Sequence, residues 1–365
     1  MHGVTRVASD AALCCAAALW LLAPLPAAQA DSFAARIAAL SEPAGYFDTD
    51  NLISNERSYL HVAGALEAAA VPGGAYVGVG PDQNFSYIAI ARPSLAVIID
   101  IRRDNLLLHL LFKALFEIAG TRVEYLAMLC GRAPPVALEG WRARPIDALA
   151  GYVDAAPRLT PAARAALDAR VAAAVSGFGV PLSDADYGTI RRFHRRFIDD
   201  GLSLRFHSTG RPPQPDYPSY RDLLVERDRA GVPRSFLASE AAFQFVESLQ
   251  ARHLVIPIVG DLSGPTALRA VGDFLRARRT PLVALYASNV EFYLYGDGRF
   301  DRFVDSLGRL PLARSAVIVR SAFRGGVRIE PGYNSASLTQ PMAALLDGYA
   351  QGRFRRYTEL LAASR

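Results

Sequence analysis

The sequence predicts an α/β protein with a mostly parallel sheet and a large helical insertion. In residues 31–120 and 251–365, apolar runs typical of buried strands alternate with helical segments, which is the pattern of a parallel sheet covered by helices. Residues 121–250 differ, because they are rich in alanine and arginine and contain few strand-like runs. A glycine turn after the first apolar run, Gly78-Val79-Gly80, indicates that the sheet is Rossmann-like.

The first half of the sheet is expected within residues 31–120. Residues 31–70 are predicted to be mainly helical, since apolar side chains recur at helical spacing from Phe33 and an alanine-rich run follows Asn55. The predicted strands cover residues 75–79 and 95–101, and the predicted helices begin near Asn84 and at Asn105.

The second half of the sheet is expected within residues 251–365, and residues 121–250 are expected to form a helical cap that makes one wall of a cleft. The strands predicted in the second half cover residues 254–259, 281–286, 315–320 and 326–330. The helices predicted there cover residues 264–278, 300–307, 341–349 and 353–362.

Residues 1–30 have the three parts of a secretory signal peptide. Arg6 supplies positive charge, residues 11–25 are apolar, and Ala28-Gln29-Ala30 matches a cleavage site, so the exported chain is expected to begin at Asp31. This predicts a periplasmic or secreted protein with no stable membrane insertion after cleavage. The alternative is an uncleaved N-terminus that anchors the protein to the membrane, although the apolar run is short for a span.

A ligand site is predicted at the carboxyl ends of the strands, where open α/β sheets bind their ligands. Glycines after the first strand let a ligand approach the backbone, and an acid at the end of the second strand accepts hydrogen bonds from ribose hydroxyls. The predicted cofactor-binding residues belong to the glycine turn and to the end of the second strand: Gly78, Gly80, Asp82, Asn84, Asp100 and Arg102.

Further polar residues cluster beside other predicted strands. The predicted catalytic residues follow the strands at 254–259 and 281–286: Asp261, Asn289 and Glu291. The residues predicted to contact substrate or to form a lid are Asn55, Glu56, Tyr59 and Tyr293. The alternative for these residues is helix capping or a buried polar network, because Asp, Asn and Ser are common helix N-caps.

The glycine turn favours one cofactor class over others. Gln83 stands where a dinucleotide turn, G-x-G-x-x-G/A, needs a small residue, which argues against NAD or FAD. In its glycine turn and in Asp100, the chain resembles class I S-adenosylmethionine-dependent methyltransferases. That resemblance implies S-adenosylmethionine as cofactor and methyl transfer as the reaction. The chain departs from the family's usual pattern at Tyr76 and Asp82, where an acid and a third glycine are common.

A second resemblance covers most of the chain. The segments GVGPDQNFSYIA, DIRRDNLLLHLLFKALFE, GDLSGPTALRAVG, YASNVEFYL and SLTQPMAALL are similar to those of the uncharacterised bacterial LIC_10091-type family. The similarity runs from about Tyr46 to Leu361. It implies a fold like that of the methyltransferases and no particular reaction.

Several function classes are disfavoured. The formal charge of +5 is not gathered into a basic stripe with interleaved aromatics, which argues against nucleic-acid binding. The histidines lack metal-ligand spacing such as H-E-x-x-H, so no metal site is expected. Ser263 stands one position late for the G-x-S-x-G motif of serine hydrolases.

Two alternatives to methyl transfer remain at this point. One is a non-catalytic periplasmic binding protein on a degenerate methyltransferase-like fold, which export favours because S-adenosylmethionine is made and used in the cytoplasm. The other is a hydrolase or transferase that acts on an envelope component. All three hypotheses expect a small-molecule ligand, and the sequence leaves the oligomeric state open.

Overall fold

A computed structural model describes residues 31–212, 214–323 and 326–365. The strands are β1 (Ala75–Val79), β2 (Leu95–Asp100), β3 (Val255–Val259), β4 (Leu282–Ser288), β5 (Leu312–Ala322) and β6 (Ala336–Pro341). They form one six-stranded sheet in the order β3-β2-β1-β4-β5-β6. The prediction of an α/β, Rossmann-like fold is confirmed.

The sheet is parallel from β3 to β5, and β6 pairs with β5 in the antiparallel direction. Every residue of β1, β2 and β3 is buried, as expected for parallel strands that are covered on both faces. The strand order reverses at β1: β2 and β3 are added on one side of β1, and β4, β5 and β6 follow on its other side. A ligand crevice is expected at this reversal.

Helices cover the sheet. Those of the described residues are α1 (Phe33–Leu40), α2 (Ala63–Ala69), α3 (Gln83–Ala91), α4 (Arg103–Ile118), α5 (Arg122–Leu129), α6 (Ile146–Ala155), α7 (Pro161–Gly177), α8 (Asp184–Asp200), α9 (Tyr220–Val225), α10 (Glu240–Ala251), α11 (Ala267–Ala277), α12 (Val290–Gly296), α13 (Phe300–Gly308), α14 (Met342–Ala350) and α15 (Tyr357–Ala362). Short 3₁₀ helices cover Arg57–Val62, Glu139–Trp141 and Gly201–Ser203.

The region predicted as a helical cap contains α5 to α10 and contributes no strand to the sheet within its described residues. It packs closely on α4: the rings of Phe116 and Phe243 stack with centroids 5.2 Å apart, and those of Phe112 and Phe197 meet at 5.8 Å. Buried residues of this region and of the sheet form one continuous hydrophobic core. The helices therefore share a core with the sheet instead of building their own.

The helical region predicted across residues 31–70 contains a long irregular segment. Between α1 and the 3₁₀ helix Arg57–Val62, the chain is irregular and passes over the carboxyl ends of β2 and β3. The backbone N–H of Glu42 donates to the Val259 carbonyl at 2.9 Å, and that of Gly45 donates to the Ile101 carbonyl at 2.8 Å. These bonds join distant parts of the chain, so local helical spacing does not reveal them.

The closing strand of the sheet, β6, lies later in the chain than predicted. It was predicted at residues 326–330 and lies instead at Ala336–Pro341. Two of its polar side chains, Ser337 and Gln340, are buried. The Ser337 and Ser58 hydroxyls are hydrogen bonded at 3.1 Å, and Gln340 accepts from Arg320 at 2.8 Å. Buried polar pairs replace the apolar alternation by which a strand is normally recognised.

The signal peptide predicted for residues 1–30 lies outside the described residues. Among the helices given above, none has both the length and the apolar character that crossing a bilayer requires. Export and signal cleavage therefore stay predictions.

Candidate functional site

A cleft of about 650 Å³ opens at the carboxyl ends of the strands. Five strands supply its floor through residues at or just beyond their ends: Gly80, Asp100, Asp261, Ser288 and Ser321. Its volume is within the range of small-molecule sites, which is about 300–1,000 Å³. The cleft lies where open α/β sheets bind their ligands.

The walls of the cleft come mainly from residues 46–56, from residues 206–211 and 214–217 of the helical region, and from α12. The rings of Phe47 and Tyr293 meet edge to face with centroids 5.1 Å apart. Wall residues that the sequence analysis missed are Tyr46, Phe47, Asp48, Asn51, Phe206, Arg211 and Tyr217. Aromatic residues among Gly, Asp and Asn, as in residues 45–51, were the available signal for an exposed binding loop.

The glycine turn meets the cleft at Val79 and Gly80, and Pro81 follows them there. The φ of +82° at Gly80 suits glycine. Gly78 faces inward, where a Cβ atom would lie 2.0 Å from Asn84 Oδ1. Asn84 is fully buried; its Oδ1 accepts from the Tyr76 hydroxyl at 2.8 Å and its Nδ2 donates to the Pro81 carbonyl at 2.7 Å. The prediction that Gly78 and Asn84 border a ligand is corrected: neither lines the cleft, and Asn84 holds the turn through its buried hydrogen bonds.

Asp82 also faces away from the cleft, which corrects its predicted contact with a cofactor. Its carboxylate is buried and accepts a hydrogen bond from the Tyr220 hydroxyl of α9 at 2.6 Å. Burial raises the pKa of Asp82 to about 7, although the hydrogen bond from Tyr220 favours the charged form. Asp82 therefore connects the glycine turn to the helical region, and its carboxyl group changes protonation state near neutral pH.

Asp82→Asn is expected to stabilise the protein more at pH 8 than at pH 5. A raised pKa means that the folded state holds the proton more tightly than the unfolded state, so stability is lost as the pH rises from about 4 to about 7. Asparagine does not titrate, so the variant does not have this loss. Its free energy of unfolding relative to the wild type should rise by about 2–3 kcal/mol between pH 5 and pH 8. Urea unfolding of both proteins measures the difference, and an equal effect at the two pH values would contradict the expectation.

Asp100 and Arg102 form a closed pair at the end of β2. Arg102 donates from Nε to Oδ1 at 3.1 Å, from Nη2 to Oδ2 at 3.0 Å, and from its backbone N–H to Oδ1 at 2.9 Å. Its Nη1 also donates to the Thr49 carbonyl at 2.8 Å, which ties the wall segment 46–56 to the sheet. Both residues line the cleft as predicted, but three of about four acceptor sites on Asp100 are already filled.

Asp261 lies in the cleft beyond β3, as predicted. Its Oδ1 accepts from the backbone N–H and the hydroxyl of Ser263, both at 2.8 Å. Its Oδ2 pairs with Arg299 Nη1 at 2.6 Å. The carboxylate is thus held in one orientation at the edge of the cleft.

The two predicted catalytic residues after β4 have separate environments. Asn289 lines the cleft as the residue before α12. Glu291 is fully buried and pairs with Arg320 of β5, at 2.6 Å to Nε and 3.0 Å to Nη2. Because both carboxylate oxygens are taken by a buried guanidinium, the prediction that Glu291 points into the crevice is corrected to a structural ion pair.

Glu56 is the last residue of the wall segment 46–56; its side chain reaches the floor and is 1% exposed. Its carboxylate accepts hydrogen bonds from four side chains: Tyr286 (2.7 Å), Ser288, Ser321 and Gln83 (3.3 Å). These donors come from β4, β5 and α3, so one carboxylate joins three elements at the strand ends. Glu56 is predicted from the sequence to contact substrate or to form a lid, and its hydroxyl donors Tyr286, Ser288 and Ser321 are not among the predicted site residues.

Ser288 has an unusual backbone for a serine. Its φ is +51°, a left-handed conformation that residues other than glycine rarely adopt outside turns and functional sites. The residue ends β4, precedes α12, lines the cleft and donates to Glu56. The strained turn directs this hydroxyl onto the buried carboxylate.

The remaining predicted lid residues divide in the same way. Asn55 and Tyr293 line the cleft, and Tyr293 is 37% exposed at its mouth. Tyr59 is buried and donates to the Leu223 carbonyl at 2.8 Å, which corrects its predicted contact with substrate. Throughout the described ranges, no group of three or more His, Cys, Asp or Glu side chains is arranged to hold a metal ion.

A family model described as Domain of unknown function (DUF7790) matches residues 51–133 and 213–361. The two stretches cover more than half of the chain. The chain belongs to this family. The DUF7790 match includes all six strands and Glu56, so the floor of the cleft lies within the family's own segment. No curated protein matched the chain.

Proposed function

We propose that the cleft binds S-adenosylmethionine and that the protein transfers the methyl group to a small molecule. The observation that carries the proposal is the position of the cleft: it lies at the reversal of the strand order, with the bare backbone of Gly80 on one side and Asp100 at the end of β2 on the other. This arrangement suits a ligand with a ribose. The resemblances to class I methyltransferases and to the LIC_10091-type family support it.

The ribose would contact Asp100, whose carboxylate can accept few further hydrogen bonds. Arg102 fills three acceptor sites of Asp100, so one further hydrogen bond to Oδ2 is available to a ribose hydroxyl. Apolar residues just beyond the strands, Ile101 and Leu262, line the same end of the cleft and suit a planar base. The cofactor half of the cleft would thus extend from Gly80 to Leu262.

Methyl transfer mainly needs the two reactants to be held in line. Asp261 and Asn289, the predicted catalytic residues that reach the cleft, would orient the acceptor. Glu56 lies on the floor beside Ser288 and would take part through that hydroxyl, since its own oxygens are hydrogen bonded. No covalent nucleophile is required by this reaction.

An exported, non-catalytic binding protein is the second candidate. The Asp100–Arg102 pair favours it, because the acid that would hold a ribose already holds a guanidinium. Tyr76 favours it as well, since it stands where the methyltransferases usually have an acid and bonds to Asn84. On this proposal the same cleft would hold an envelope small molecule without changing it.

Isothermal titration with S-adenosylmethionine and S-adenosylhomocysteine tests the proposed function. We expect micromolar binding of both ligands by the purified protein, weakened about tenfold in Asp100→Asn by the loss of a charge-assisted hydrogen bond. Asp273→Asn is the matched control: it makes the same change on the exposed face of α11 and should bind as the wild type does. If the folded wild-type protein, checked by its cooperative thermal unfolding, binds neither ligand, methyl transfer is rejected and the binding protein is favoured.

A further inference from the structure

The lining of the cleft has a charge opposite to that of the whole chain. The chain has a formal charge of +5. The cleft is lined by six carboxylates and three guanidinium groups: Asp48, Glu56, Asp100, Asp216, Asp261 and Asp297, with Arg102, Arg211 and Arg299. The described lining therefore has an excess of three negative charges, which favours a cationic ligand.

Each arginine in this lining is already paired with an acid of the same cleft. Arg102 pairs with Asp100 at 3.0 Å, Arg211 with Asp48 at 2.7 Å, and Arg299 with Asp261 at 2.6 Å. These pairs leave Glu56 held by hydroxyl and amide donors alone, among the residues that the structure describes. The floor of the cleft therefore has a buried negative charge that neutral dipoles stabilise.

The hydrogen bonds of Glu56 restrict the kind of cation that it can attract. A carboxylate has about four acceptor sites, and Tyr286, Ser288, Ser321 and Gln83 supply four donors. Tyr286, Ser321 and Gln83 all donate to Oε2, so Oε1, which accepts from Ser288, is the one oxygen with an acceptor site left. A primary ammonium has three N–H groups and would find an acceptor on Glu56 for one of them. A cation whose charge is covered by alkyl groups needs only the negative potential.

Aromatic side chains at the mouth of the cleft suit the same kind of cation. Of the five large apolar side chains that are exposed in the described residues, three line this cleft: Tyr46 at 78%, Phe292 at 55% and Tyr293 at 37%. The Phe292 and Tyr293 rings meet edge to face at 5.4 Å, and Phe292 also meets Tyr357 at 5.6 Å. Aromatic faces attract alkylated cations, and quaternary ammonium groups above all.

We propose that this cleft binds an onium group, meaning a positively charged, alkylated nitrogen or sulfur atom, held by the charge of Glu56 and by the aromatic mouth. The inference deepens the proposed function and rests on the cleft being the ligand site. Two sources share this chemistry: the sulfonium of S-adenosylmethionine, and an alkylated ammonium on a second small molecule. A neutral ligand of the same shape should bind more weakly to the same surface.

Two ligand pairs that differ in charge test the inference on the full chain. S-adenosylmethionine is compared with S-adenosylhomocysteine, its neutral thioether, and choline is compared with 3,3-dimethylbutan-1-ol, its neutral isostere. We expect the charged member of at least one pair to bind about tenfold more tightly, as measured by calorimetry. Glu56→Gln should remove that preference, while Glu117→Gln, an exposed change in the last turns of α4, should keep it.

The outcomes separate the inference from the proposed function. A preference within the first pair assigns the site to the sulfonium, and one within the second pair assigns it to an ammonium ligand and supports the inference even if S-adenosylmethionine does not bind. Equal affinities within both pairs, or no binding of any of the four, overturn it. If S-adenosylmethionine binds and neither pair shows a preference for the charged member, the inference is overturned and the proposed function is not. If Glu56→Gln does not fold, the wild-type pairs still decide, and Tyr293→Leu should reduce the preference.

Discussion

Glu291→Ala is expected to lower the free energy of unfolding by about 3–5 kcal/mol. The substitution leaves the Arg320 guanidinium, which is fully buried, without its carboxylate partner. Gln340 and Ser364 still accept hydrogen bonds from Arg320, but neither has a negative charge. An uncompensated buried charge is among the most destabilising single changes. Urea unfolding at pH 7 measures the loss.

A double variant and an exposed pair control this measurement. Glu291→Leu combined with Arg320→Met removes both charges, so it should recover most of the stability that Glu291→Ala loses. Asp305→Ala breaks the exposed pair with Arg309 and should cost less than about 1 kcal/mol. A loss of under 1 kcal/mol in Glu291→Ala would contradict the buried pair, and a role in the cleft would then return for Glu291.

Gly78→Ala is expected to lower the free energy of unfolding by about 2–5 kcal/mol, through overpacking and loss of a buried hydrogen bond. Its Cβ would lie 2.0 Å from Asn84 Oδ1 and 2.5 Å from the Tyr76 hydroxyl oxygen, so it would separate the two groups that are bonded at 2.8 Å. Neither group can move into empty space, because both side chains are fully buried.

Gly64→Ala is the matched control for this change. Gly64 lies in α2, and a Cβ atom there would meet nothing within 4 Å. Alanine favours the helix over glycine, so this variant should be about 1 kcal/mol more stable than the wild type. Thermal unfolding compares the two variants. Equal stability of Gly78→Ala and wild type would show that the turn tolerates a side chain and would restore Gly78 as a ligand-facing position.

The strands around the reversal of the sheet were predictable, because each is a short continuous apolar run, which is typical of a buried strand when turn residues flank it. β1, β2, β3 and β4 were found within one or two residues of their bounds. The positions just beyond these strands must meet at one edge, so Gly80, Asp100, Asp261 and Asn289 could be placed in a common cleft without knowledge of any contact.

The direction of each side chain depended on partners elsewhere in the chain. Glu291 turns inward because Arg320 is buried 29 residues later, and Asp82 does so because Tyr220 lies 138 residues away. β6 was misplaced for the same reason, since its buried polar residues are satisfied by Ser58 and Arg320. A residue type alone does not show whether its polar group meets a ligand or a distant part of the protein.

The sequence by itself therefore determined the fold class, the strands β1 to β4 and the sheet edge at which a ligand site is predicted, because apolar runs and strand ends are local properties. The order of the strands and the position of β6 were decided by the tertiary structure. Only the tertiary structure decided which polar residues face that edge. Glu56 illustrates this most clearly, because its hydroxyl donors lie up to 265 residues away in the chain. They become its neighbours only when β4 pairs with β1 and β5 pairs with β4. Long-range pairing is decided by the packing of the whole chain, and no local pattern records it.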